Sequence, residues 1–248
     1  QAKDPVSGKT LWAINNISST TVTTLSEPII TTAYRTAKSL GWPVPIDGTV
    51  DLPEQPPVTF NYTRPVWEGP GPNVGSEGNL VLRLKKGEVV EIVFQNTLAL
   101  NNVSELHSWH IHGHSCWVIG QGTGIYDSSK DVENYNLNNP VLQDTFDMYP
   151  FGWTAVRFVA SNPGAWLFHC HLSSHIIMGM DFTLIVQPDE IDSPPEGATS
   201  CTENSLESTA MPTTSPTAMN GTVAPTNSPT AMNVTEAPTK SPTTVNNT

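Results

Sequence analysis

The chain has 248 residues, a formal net charge of −12 and 37% apolar residues. That acidity excludes nucleic acid as a partner, because binding phosphate backbones rests on Lys and Arg, and it serves solubility instead. No apolar run approaches the roughly eighteen residues that cross a bilayer, so no membrane span is expected.

In chain order, Trp12 reads as a core residue beginning the first strand. Residues 43–78 are rich in Pro and Gly and read as a long, irregular excursion. Leu80–Leu84, a Lys85-Lys86-Gly87-Glu88 turn and Val89–Phe94 predict a hairpin. Further strands are expected at Cys116–Ile119, Thr145–Met148, Thr154–Ala160, Ala165–Cys170 and Phe182–Val186. Turn signals separate them, among them Asn139-Pro140, Tyr149-Pro150-Phe151-Gly152 and Asn162-Pro163-Gly164. One short helix is expected over roughly Ser173 to Met178. Many short strands at this spacing imply an all-β Greek-key sandwich.

All seven Trp, five Tyr and seven Phe lie in residues 1–190, and residues 191–248 hold none. Residues 1–190 therefore read as one domain with ample material for a core, and 191–248 as a disordered Thr/Ser/Pro-rich repeat tail. In the tail, Ser215-Pro216-Thr217-Ala218-Met219-Asn220 recurs as Ser228-Pro229-Thr230-Ala231-Met232-Asn233, and Ser241-Pro242-Thr243 opens a third copy. The period is too short for a solenoid unit and reads as an O-glycosylated stalk. Sequons at Asn16, Asn61, Asn102, Asn220, Asn233 and Asn246 point to a glycoprotein that is secreted or held at the cell surface or cell wall.

The chemistry lies in the histidines. All seven fall in His107-Ser108-Trp109-His110-Ile111-His112-Gly113-His114 and His169-Cys170-His171-Leu172-Ser173-Ser174-His175, with Met180 five residues beyond. Thiolate, imidazoles and thioether at this spacing are the donor set of a copper site, and Cys/His/His with a weak axial Met is the electron-transfer arrangement. On strands, His169 and His171 share one face and Cys170 takes the other, and His110 and His112 likewise share a face opposite His107. Cys170, His107, His175 and Met180 can then form one mononuclear site. His110, His112, His169 and His171 form half of a second, histidine-only site. Cys116, in the apolar run Cys116-Trp117-Val118-Ile119, reads as a buried free thiol.

These motifs closely resemble the C-terminal domain of multicopper oxidases, with the ascorbate oxidase and laccase group as the nearest branch. The likeness extends over about residues 10–187, including Gly87-Glu88-Val89-Val90, Tyr135-Asn136-Leu137-Asn138-Asn139-Pro140, Gly152–Phe158 and Asn162-Pro163-Gly164. The resemblance implies a cupredoxin (plastocyanin-like) fold, with type 1 copper on His107, Cys170 and His175 and Met180 as axial ligand. It also implies type 2 copper on His110 and the type 3 pair on His112, His169 and His171. Electrons would pass through Cys170 and its flanking His169 and His171. His114 matches a family histidine that is no ligand, and Ser108 replaces a proline common after the first ligand. Trp12 matches an aromatic platform near the site, a reading of equal weight with the core one. Cys201 matches a cysteine bonded to an N-terminal domain.

The expected partners are dioxygen, a small-molecule reductant such as ascorbate or a phenol, and N-terminal cupredoxin domains in cis or in trans. In the family those domains supply the remaining histidines, and the chain has no further histidine. The sequence also starts at Gln1 without a signal pattern. A fragment of a longer oxidase is therefore expected, inactive in isolation, rather than a natural single-domain protein. The alternatives are a stand-alone blue-copper electron-transfer or copper-binding domain and a ferroxidase-type oxidase.

Overall fold

The computed structural model describes residues 1–3, 8–19, 27–56, 62, 77–193 and 243–246. The chain opens with β1 (Ala2–Lys3), β2 (Thr10–Leu11) and β3 (Ser18–Ser19), then a helix α1 (Ile29–Leu40) and β4 (Thr49–Asp51). The longer strands follow: β5 (Glu77–Leu84), β6 (Val89–Gln95), β7 (His107–Ile111), β8 (Cys116–Thr123), β9 (Val141–Gln143), β10 (Thr145–Met148), β11 (Gly152–Val159) and β12 (Gly164–Cys170). A short helix α2 (Ser173–Ile177), β13 (Asp181–Val186) and β14 (Thr243–Asn246) complete the order.

Two sheets face each other. One runs β10-β7-β12-β13-β5-β3, with β4 also against β5; the other runs β14-β6-β11-β8-β9. The all-β sandwich expected from the sequence is thus what forms, and its core lies between the sheets. Phe94 from the second sheet meets Trp109, Phe146 and Phe168 from the first, at centroid separations of 4.8, 5.2 and 5.4 Å. Tilted and edge-on pairs at such separations are the favoured aromatic geometry.

Three expectations need correction. Leu80–Leu84 and Val89–Phe94 do not form a hairpin: β5 pairs with β13 in parallel and β6 with β11. The Lys85–Glu88 turn instead carries the chain from one sheet to the other, with Gly87 at φ 84° and its N–H donated to Ala160 O. The reason is burial on two faces. Leu80 and Leu84 feed the main core while Val81 feeds a second cluster with Ala33, Ile46 and Ile185, and an isolated ribbon would leave one of these wet.

That second cluster also explains α1, which the sequence reading left out. Ala33 and Ala37 pack the helix on the outer face of the first sheet. Its start follows Pro28 and has no side-chain cap. Glu27 stands in, accepting from Thr32 and pairing with Arg35.

The third correction concerns the tail, expected to hold no strand. Thr243–Asn246 pairs in parallel with Ile92–Gln95. Three β-branched residues in a row suit an extended backbone, and β6 otherwise offers an unpaired sheet edge. Cys201, the two full repeats and the sequon asparagines Asn61, Asn220 and Asn233 lie outside the described residues.

Phe94 tests the packing. Truncation to Ala removes its contacts with three aromatics at once, and is expected to cost about 3–5 kcal/mol in urea unfolding. A cost under about 1 kcal/mol would show that the sheets do not depend on this ring.

Candidate metal centre

Strand register sorts the donors. In the antiparallel pairing of β12 with β7, His169 stands opposite His110 and Cys170 opposite Trp109. Cross-strand partners share a face, so Cys170 points with Trp109 and His107 into the core, while His110 and His169 point to the other side. His107, Trp109 and Ile111 are accordingly buried, with half-buried Ser108 and His110 between them. His171 continues the outward face, and its N–H bonds Ser108 O at 2.6 Å.

The inward group converges. His107 Nδ1 lies 3.2 Å from His175 Nδ1, and Cys170 Sγ lies 3.8 Å and 3.5 Å from the two nitrogens. All three residues are buried, and this is the one such three-donor cluster found among the described residues. His175 comes from α2, the helix expected after Cys170; its N–H bonds Leu172 O and its carbonyl accepts from Met180 N–H. Met180 is fully buried in the same core cluster as Cys170 and Trp12, and Cys170 N–H donates to its carbonyl at 3.1 Å.

Electrostatics here are those of a dry pocket. Burial, then the charge of His175, pushes His107 down to about 3. Burial likewise lowers His175, against an opposing pull from Glu105. Burial raises the Cys170 thiol to about 11, although backbone N–H groups of Leu172 and Ser108 favour the thiolate. A neutral imidazole offers one nitrogen lone pair, on Nδ1 in the Nε2–H tautomer, and a cation among these groups would offset the cost of the thiolate. His107 Nε2 is buried and finds no hydrogen-bond partner among the described residues. Nδ1, which faces the sulfur and the second imidazole, is the nitrogen placed to meet a metal.

The outward group is a cluster of four imidazoles. Ring centroids lie 4.9 Å apart for His110–His112, 5.1 Å for His112–His169, 5.5 Å for His110–His171 and 5.6 Å for His169–His171. His110 Nδ1–H donates to Asp144 O at 2.9 Å and His169 Nδ1–H to Cys170 O at 3.0 Å. Those bonds fix the tautomer that leaves each Nε2 as a lone pair. His112 Nε2 and His169 Nε2 face each other at 3.0 Å, an arrangement that an ion shared between them satisfies. An open cleft of about 610 Å³, lined by His110, His112, His114, Asp144 and Trp166 among others, lies beside this group.

His114 does not join the cluster: its Nδ1–H donates to His112 O and its ring sits against Trp166 and Phe158. Ser108 makes no turn but sits within β7, its hydroxyl donated to Asp147 at 2.6 Å. Cys116 is a buried free thiol. Trp12 is 1% exposed and lies 4.8 Å from both the His107 and His175 rings. It is therefore a core residue that touches the site from beneath. Sequence reasoning missed Glu105, whose Oε2 lies 3.5 Å from His175 Nε2. The signal was its place two residues before His107, a spacing that carries no weight until α2 folds back.

A family model described as multicopper oxidase matches residues 51–190. The chain is 40% identical over 176 residues to an L-ascorbate oxidase of Cucumis sativus, a match covering 71% of this chain and 28% of that protein. It is 37% identical over 162 residues to Laccase-13 of Arabidopsis thaliana, covering 62% and 27%. Among solved structures, the laccase from Botrytis aclada aligns with a TM-score of 0.42 and 28% identity, over 46% of this chain and 21% of that one. The chain thus spans under a third of the length of these relatives.

The pH response of the metal-free chain follows from His107. Its folded value lies below the ordinary 6.5, so the unfolded chain binds more protons between the two values and stability falls as pH drops. Denaturation midpoints are expected to decline from about pH 6.5 to about 5, before carboxylates titrate, with His107→Gln flattening the slope. A midpoint constant over that window contradicts the burial argument.

Proposed function

Because this chain belongs to the multicopper oxidase family, we propose that it is the copper-binding, electron-accepting module of an oxidase that couples oxidation of a small reductant to reduction of dioxygen. In this reading His107, Cys170 and His175 hold the type 1 copper with Met180 axial, and His110, His112, His169 and His171 give half of a three-copper cluster. The remaining imidazoles come from another cupredoxin domain, in cis or in trans. The observation that carries the reading is the meeting of Nδ1, Nδ1 and Sγ within 3.8 Å in a dry core. A soft thiolate with two imidazoles suits copper over hard-ligand metals.

Copper, when bound, supplies a one-electron acceptor at the first site and multi-electron reduction of dioxygen at the second. The residues supply placement. Cys170 is bonded through the backbone to His169 and His171, so the thiolate and two cluster imidazoles are joined by a short covalent path. Trp109, Phe168 and Phe94 keep water from the sulfur. The carbonyls of Asp144 and Cys170 hold His110 and His169 in their ligating tautomers.

A carrier that uses the first site alone is the second reading. Four imidazoles gathered on the opposite face have no part in it, which favours the oxidase. A secreted or cell-surface glycoprotein fits the sequons. In the described part, Asn102 is exposed on a turn at φ 61°, whereas Asn16 is buried. Among the described residues no helix is long and apolar enough to cross a membrane.

Loaded with one equivalent of copper, the chain is expected to turn intensely blue, and Cys170→Ser to stay colourless; a blue serine variant would sink the assignment. Met180→Leu is expected to keep the colour and raise the reduction potential, because loss of a weak axial donor disfavours Cu(II). A fixed or lower potential would remove Met180 from the site. These 248 residues alone are expected to accept electrons without sustained oxygen uptake, and a histidine-bearing cupredoxin domain to restore it. Oxygen-electrode traces of the isolated chain that show steady turnover would refute the half-cluster reading.

A further inference from the structure

The matched family region begins at residue 51, yet the site is touched by a segment well before it. Ile14-Asn15-Asn16-Ile17 closes a tight reversal: Ile14 and Ile17 exchange backbone bonds of 2.8 and 2.9 Å, with Asn15 and Asn16 at φ 49° and 69°. The two arms of this reversal meet one loop, Met178–Asp181. On the first arm, Trp12 N–H donates to Met178 O at 2.7 Å. On the second, Ser18 Oγ–H donates to Met178 O at 3.2 Å, Ser19 N–H to Gly179 O at 3.1 Å, and Ser19 Oγ–H to the Asp181 carboxylate at 2.6 Å. The approach is close enough that Gly179, at φ 98°, has no room for a Cβ, which would strike Ser18 Oγ. The second arm is in turn tied to the sheet, with β3 pairing in parallel with β5.

The same segment sends a side chain into the site. The Trp12 indole stands edge-on to His107 at 82° and tilted to His175 at 44°, both at 4.8 Å. His107 rides on β7 and His175 on α2, so one indole packs against imidazoles from two separate elements. The loop held by the serines carries Met180 and accepts the Cys170 N–H through Met180 O. Trp12 thus touches His107 and His175 directly, and the loop that residues 12–19 hold carries Met180 and, through it, the Cys170 N–H.

We propose that Trp12–Ser19 is a positioning brace for this metal site. It sets the angle between the two imidazoles and fixes the loop bearing Met180 before an ion arrives. The physical need is geometric: two imidazole nitrogens and a sulfur from three separate elements lie within 3.8 Å of one another in a buried pocket, and rigid surroundings hold them in that arrangement. The brace rests on the copper-site reading above and specifies which residues preorganise it.

The test is copper affinity and spectroscopy on the full 248-residue chain, comparing the parent with Trp12→Phe, Trp12→Ala and Ser19→Ala, and with folding followed by near-UV circular dichroism. Trp12→Ala is expected to weaken copper binding, measured against a competing chelator, by roughly tenfold or more. It is also expected to shift the blue band and its electron paramagnetic resonance hyperfine splitting. Trp12→Phe, which keeps a ring against both imidazoles, is expected to restore most of the affinity. Ser19→Ala leaves the indole in place and removes one hydroxyl, so it tests the brace even where Trp12→Ala folds poorly; its reduction potential is expected to move. Folded variants with the parent's affinity, spectrum and potential would overturn the brace while leaving the copper reading intact. A parent chain that never turns blue would overturn the copper reading first, and the brace with it.

Discussion

The antiparallel register between β7 and β12 governs the site, because strand alternation converts it directly into a division of donors. With Cys170 opposite Trp109 and His169 opposite His110, thiol and imidazoles separate into a dry inward group and a cluster on the opposite side. A slip of one residue would exchange the faces of β12, putting the thiol and Phe168 outside and His169 and His171 against Phe94 and Trp109. The apolar residues that alternate with the donors are what forbid that slip. Core and candidate metal centre are thereby specified by the same pairing.

Gathering these donors works against stability. Burial lowers His107 and His175 and raises Cys170, so the pocket favours three neutral groups whose close contacts are with one another. The surrounding aromatic packing and the stitched Met178–Asp181 loop supply the rigidity that the donors do not supply for themselves. The outward imidazoles solve the matter differently. Backbone carbonyls take the Nδ1–H of His110 and His169, and an open cleft beside them leaves the Nε2 side available. Within the proposed function, that openness is where a second domain would complete the cluster.

Much of the site was legible because its residue types are rare and grouped. Histidines confined to two motifs, with a cysteine between two of them, and period-two alternation were enough to separate inward from outward donors. Thr145–Met148 and its neighbours were legible as strands because turn signals bracket each one. What escaped depends on contacts distant in sequence. Val81 looked like a hairpin residue until α1 and Ile185 showed that its face is buried too. The helix start at Ile29, with Thr31 and Thr32 in its first turn, has weak local propensity and is stabilised by packing. Glu105 and Ser19 reach His175 and Asp181 only through folding, across 70 and 162 residues.

The central claim is that one thiolate and two imidazoles converge on a single ion. X-ray absorption at the copper edge, on the chain carrying one equivalent, reads that first shell directly. The account predicts one short copper–sulfur and two copper–nitrogen scatterers with the outer-shell pattern of imidazole rings, all lost together in Cys170→Ser. A shell of nitrogen and oxygen alone would place the first ion among His110, His112, His169 and His171, and would contradict the buried cluster as the preferred site.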